Sequence, residues 1–178
     1  MKTLIAGLAA ISLTAGVSQA QAQAKDWIDL GDEGATLHLS SEYVPANPPT
    51  AADLILATSS GQERCRLSID AKGKTQLWLY QKAVEGPVVD PAKKQSLLLH
   101  IKSRKNAPDE AYVKIHDAIT EPKPDASWTI INREGRSDAN LSCVLVRGAD
   151  KNAFQNIRVA RSFAELLEAP VVKPGLTK

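Results

Sequence analysis

The chain has 178 residues, with 22 basic and 20 acidic side chains and a net charge of +2. That balance excludes a nucleic-acid binder driven by charge, which needs a basic excess gathered on one surface. A hydrophobic share of 43% beside 24% charged residues excludes a disordered or fibrous chain, and the length suits one packed domain rather than two.

Lys2 opens the chain with a positive charge, an apolar run follows over residues 4–17, and Ser18-Gln19-Ala20 and Ala22-Gln23-Ala24 place small residues where a signal peptidase reads. Basic start, short apolar stretch and small-x-small end describe a secretory signal peptide over residues 1–24. The run is shorter than the roughly 20 residues that cross a bilayer, and no Cys follows it to carry a lipid. The expectation is an exported protein, periplasmic or secreted, with no transmembrane segment once the leader is removed.

Residues 25–170 read as a single β-rich domain. After a polar lead-in containing Trp27, residues 35–40 alternate apolar and polar side chains, the period of a half-buried strand. Pro45, Pro48 and Pro49 then impose a loop. Residues 54–56 open a second strand, closed by Ser59-Ser60-Gly61. Residues 64–70 alternate with Cys65, Leu67 and Ile69 inward. Gly73 supplies the turn, and residues 75–82 return with Leu77 and Leu79 on one side and Trp78 and Tyr80 on the other. This is the best hairpin in the sequence.

Gly86-Pro87 and Asp90-Pro91 mark a longer loop before a strand over residues 97–102. A basic turn leads to a short strand over residues 112–116. Pro122 and Pro124 precede residues 128–131, and a charged turn over residues 134–138 joins them to residues 141–146 as a second hairpin. Residues 157–159 make a last strand. Residues 162–168 are the one helical stretch, with Ser162 as N-cap and Glu165 three positions on. Pro170 stops it, and residues 171–178 read as a flexible tail. Eight or nine short strands between Gly and Pro turns predict an all-β, mainly antiparallel sandwich or barrel with one short C-terminal helix.

Cys65 and Cys143 both fall on the apolar phase of their strands. An even cysteine count in an exported chain predicts a disulfide between them, which chain entropy would value at about 4–5 kcal/mol. No Cys-x-x-Cys and no His at ligand spacing point to a metal instead.

Catalytic patterns are weak. His38, His100 and His116 each take the outward phase of a strand, far apart in sequence, and read as solvated face residues rather than a metal set. Gly135-Arg136-Ser137-Asp138-Ala139 lacks the final Gly of a nucleophile elbow and lies between strands instead of leading into a helix. His116-Asp117 has no nucleophile beside it, and neighbours in a strand point to opposite faces. The carboxylates of Asp32-Glu33, Asp109-Glu110 and residues 121–125 sit in polar turns. No calcium loop, phosphate loop or dinucleotide fingerprint occurs, so no cofactor is expected.

The remaining feature is an aromatic and basic surface of Arg64, Arg66, Trp78 and Tyr80 on the outward side of the best hairpin. The expected function is therefore a non-enzymatic exported protein that binds a protein or glycan of the cell envelope, such as an inhibitor, an immunity-type protein or an accessory factor. The alternatives are a carrier holding a small apolar ligand inside a barrel, and a hydrolase whose residues converge only in three dimensions.

Overall fold

The structure, a computed structural model, describes residues 36–104, 107–116, 128–135, 141 and 143–176. The leader, the Trp27 lead-in, Asp32-Glu33, Asp117, residues 121–125 and the 136–140 portion of the charged turn lie outside the described residues.

The described residues build two mostly antiparallel sheets. One holds β1 (Thr36–Tyr43), β6 (Gln95–Lys102), β7 (Glu110–His116), β8 (Ile130–Asn132) and β10 (Phe154–Ala160), in the order β10-β1-β6-β7-β8. The other holds β2 (Ala52–Ala57), β3 (Glu63–Ile69), β4 (Lys74–Leu79), β5 (Lys82–Val88), β9 (Cys143–Gly148) and β11 (Gly175–Leu176), in the order β11-β9-β2-β3-β4-β5. A short helix, α1 (Phe163–Glu168), packs on β10 and β1. Among the described residues no helix is long and apolar enough to cross a membrane.

Alternation along the strands explains why the sheets stack. Leu37 and Leu39 on β1, Leu97, Leu99 and Ile101 on β6, and Val113 on β7 send one phase inward from the first sheet. Leu54, Leu67, Leu77 and Val84 form a row across β2 to β5 that meets them from the second. These aliphatic side chains share one buried cluster, giving a sandwich-like core whose stability comes from area removed from water. Asn132 crosses between the layers: its buried side-chain amide donates to the carbonyls of Leu77 and Lys82, both at 2.9 Å.

The hairpin read over residues 64–82 is present but ends sooner. β4 stops at Leu79, and Tyr80-Gln81 forms a two-residue turn, with Leu79 opposite Lys82 and Tyr80 at φ 53°. The Gly86-Pro87 segment, expected as loop, is strand β5. Gly73 turns the chain with φ 80°, and a Cβ there would run into the Val89 carbonyl. The second expected hairpin does not form: β8 and β9 belong to different sheets, so the segment after Asn132 is a crossover. Gly175 and Leu176, in the stretch read as tail, pair in parallel with Leu145 and Val146.

The expected disulfide is overturned. Cys65 and Cys143 are both buried thiols, not joined to each other. Register gives the reason. Cys65 lies opposite Leu56 and joins the core between the sheets, whereas Cys143 lies opposite Ala57, on the other face, in a small cluster with Ile55, Ala57 and Leu145. Strand β2 runs between their two strands, so two interstrand steps hold the backbones about 10 Å apart, beyond the roughly 7 Å a bridge can span. Burial and the nearby Glu63 carboxylate push the Cys65 thiol up to about 12.

Candidate functional site

The sequence-predicted surface assembles on the outer face of the second sheet. Arg66 lies directly across from Trp78 in the β3–β4 ladder, and its guanidinium carbon sits 4.4 Å from that ring's centroid. Arg64 lies 4.8 Å from the centroid of Tyr80, the side chain carried on the hairpin turn. The two cations differ in their partners. Arg66 is held by Glu63 at 2.7 Å. Arg64 donates to the neutral Gln62 amide at 2.8 Å and meets no carboxylate among the described residues. Tyr80 is 40% exposed, so the Arg64–Tyr80 end is the accessible one. Arg147 lies on the same face, tied to Asp53 at 2.7 Å and Glu63 at 3.2 Å.

The first sheet carries a second constellation that the sequence reading missed. His38, His100, Tyr112 and Ile131 form one cross-strand row over β1, β6, β7 and β8. Their common outward phase puts the rings side by side. His38 and His100 meet through their Nδ1 atoms at 3.1 Å, so one donates and the other accepts. Phe163 of α1 lies over His38, ring centroids 4.0 Å apart. Trp128 stacks against His100 at 6.0 Å and meets Tyr112 at 5.4 Å. The solvated reading of these histidines is therefore corrected: His38 is only 5% exposed. Burial, then repulsion from His100, lowers its pKa to about 4. Burial and the Lys102 cation lower that of His100. Both rings are neutral near pH 7. His116 lies elsewhere, two positions beyond Lys114 on β7, lining a different depression with Asp90, Lys93 and Gln95.

Beside the ring row is a cleft of about 310 Å³ lined by His100, Lys102, Glu110, Tyr112, Trp128, Ile131, Arg133 and Phe163. Glu110, read from sequence as a solvated turn residue, anchors its polar wall. Its Oε1 accepts from Arg104 at 2.7 Å and faces Arg133 Nε at 3.4 Å, while Oε2 accepts from the Tyr112 hydroxyl at 2.7 Å. Burial alone would raise this carboxyl, but the Tyr112 hydrogen bond and the two arginines outweigh it and hold it below its ordinary range. Its neighbour Asp109 is buried and accepts the backbone amide of Arg104 at 2.9 Å. The hint was present in sequence, since His38, His100 and Tyr112 share the outward phase. Seeing them as neighbours requires the strand order β1-β6-β7.

Among the described residues no group of three metal-ligating side chains converges. The arrangement offers stacking surface, fixed donors and acceptors, and stacked guanidinium groups. No protein-family model matches the chain, and no curated protein matches it.

Proposed function

We propose that this is an exported, non-enzymatic binding protein that docks an acidic macromolecular partner, most simply a protein of the cell envelope, on the outer face of the six-stranded sheet. Export is supported by the basic start, the short apolar run and the small residues before residue 25. The observation that carries the docking surface is the pair of stacked guanidinium–aromatic contacts, Arg66 on Trp78 and Arg64 on Tyr80. Stacking holds each arginine in one orientation before the partner arrives, which lowers the ordering cost of binding. Arginine and large aromatics are also the residues that dominate interface energetics. Arg64, whose charge meets no carboxylate among the described residues, is the anchor for a partner carboxylate.

Affinity capture from envelope extract with the exported protein tests this reading. The wild type retains a partner that is lost, or weakened at least tenfold, in the Arg64→Glu protein and in the Arg64→Glu/Arg66→Glu protein, each checked for native circular dichroism. An unchanged set of captured partners in both variants removes this surface from consideration.

A further inference from the structure

We infer that the cleft on the opposite sheet is a second binding site, and that it takes the sugar ring of an acidic saccharide, with a uronic acid residue as the recognised unit. This inference is independent of the docking surface proposed above, because none of its residues belongs to that surface.

Shape comes first. The cleft is at the small end of the usual range for ligand sites, about 300–1,000 Å³, so it suits a terminal ring or short saccharide. Its aromatic side chains pack against each other, with His100, Tyr112 and Trp128 centroids 5.4–6.0 Å apart and the Tyr112 planes tilted by 44–49°. A flat ring sandwiched between two others needs about 7 Å, twice the ordinary contact distance. No such slot is open between these rings, so a ligand lies on them. A puckered pyranose, with C–H bonds directed from its face, fits such a floor better than a planar base or a drug-like aromatic.

Polar chemistry narrows the class further. Lys102 and Arg133 line the cleft with Glu110, and Arg104 pairs with the same carboxylate from outside the lining. Counting the buried Asp109 behind Arg104, basic side chains outnumber acidic ones by three to two, a local excess of positive charge that favours an anion. Glu110 is engaged through both oxygens, yet an ionised carboxylate offers about four acceptor positions, so it can still accept from a hydroxyl. Arg133 has a 60% exposed side chain and spends Nε on Glu110 and one terminal nitrogen on the Tyr112 hydroxyl at 3.3 Å. Its remaining nitrogen has no hydrogen-bond partner among the described residues and is left to donate to a ligand carboxylate. A bare anion needs donors alone, whereas a polyhydroxy acid uses both donors and acceptors. Fixed by the His38 hydrogen bond at its side and by the Phe163 ring stacked 6.1 Å away, the His100 ring gives the floor a rigid centre.

Calorimetric titration and saturation-transfer NMR with a short oligogalacturonate test the assignment on the exported protein. Binding is expected, with saturation strongest on the sugar-ring C–H protons. A neutral galactose oligomer of the same length should bind at least tenfold more weakly. Arg133→Gln and Lys102→Gln, both at exposed positions, should each weaken binding about tenfold while preserving the melting curve. Trp128→Ala should abolish ring saturation, and Arg64→Glu should leave binding unchanged. Absence of oligogalacturonate binding at millimolar concentration overturns the proposal. So does equal affinity for the neutral oligomer, equal affinity for a glutamate-rich peptide, or full affinity in the Arg133→Gln protein.

Discussion

His38 and His100 show how two side chains acquire a property that neither has alone. Each imidazole titrates near 6.5 when the chain is unfolded, whereas His38 titrates at about 4 in the fold, for reasons of burial and then of its partner's charge. Between those values the unfolded chain holds the extra proton, so stability is complete above about pH 6.5 and declines as the pH falls toward 4. With a discount for solvent screening, His38 contributes about 2 kcal/mol to this loss. His100, lowered for the same leading reason, adds to it in the same direction. Glu110 and Glu42 are carboxyls held below their ordinary range, so what they contribute is lost only below about pH 4.5. Urea midpoints measured from pH 7.5 to 5 should therefore fall in the wild type and fall less in a His38→Asn protein; identical slopes would contradict the histidine assignment. The cysteines give a second prediction at this scale. Both thiols are buried beyond a reagent's reach, so a thiol reagent should label neither Cys65 nor Cys143 in the native protein and both after denaturation in the absence of reductant.

At the scale of elements, Asn132 and Ser162 each do a job that their strand or helix cannot do for itself. Asn132 donates to two backbone carbonyls of the β4–β5 hairpin from the opposite sheet, so Asn132→Leu removes both bonds across the layers, the one to the Leu77 carbonyl fully buried. The expected cost is about 2–3 kcal/mol, read as a lower urea midpoint with unchanged slope. Ser162 accepts the Glu165 amide at 3.3 Å at the start of α1, and Glu165 reaches back to the Arg161 amide at 3.2 Å. Ser162→Ala should cost about 1 kcal/mol and, by loosening α1, raise solvent exposure of the His38 ring beneath Phe163; the imidazole pKa followed by NMR should then move up toward 6.5. The helix was legible because its cap and its stop at Pro170 are local signals. So was the β3–β4 hairpin, where alternation and Gly73 agree. Strand β5 was not: Gly86 and Pro87 carry a loop signal, but an edge strand with one paired side tolerates both.

For the molecule as a whole, the lack of a bridge between Cys65 and Cys143 means that cohesion rests on the aliphatic core. Adding a reductant should leave the melting temperature unchanged, whereas a linking disulfide would make it fall; Leu67→Ala, in the middle of that core, should cost about 2–5 kcal/mol in the same assay. Composition and alternation by themselves determined the all-β class, the inward phase of β1, β3, β4, β6 and β7 and the short C-terminal helix, because those properties depend on the period of two in one strand or of 3.6 in one helix. In β9, apolar on both phases, the reading chose Cys143 and Leu145, whereas Val144 and Val146 face the core. They also placed Arg64, Arg66, Trp78 and Tyr80 together, since a hairpin's partners are neighbours in the chain. Only the tertiary structure decided what depends on strand order: that β8 and β9 part into different layers, that β2 separates the two cysteines and turns them to opposite faces, and that His38, His100 and Tyr112 meet beneath a helix more than a hundred residues from the first of them. A strand's own pattern says which side faces the core, but hydrogen bonds between distant segments choose its neighbours, and the neighbours make the site.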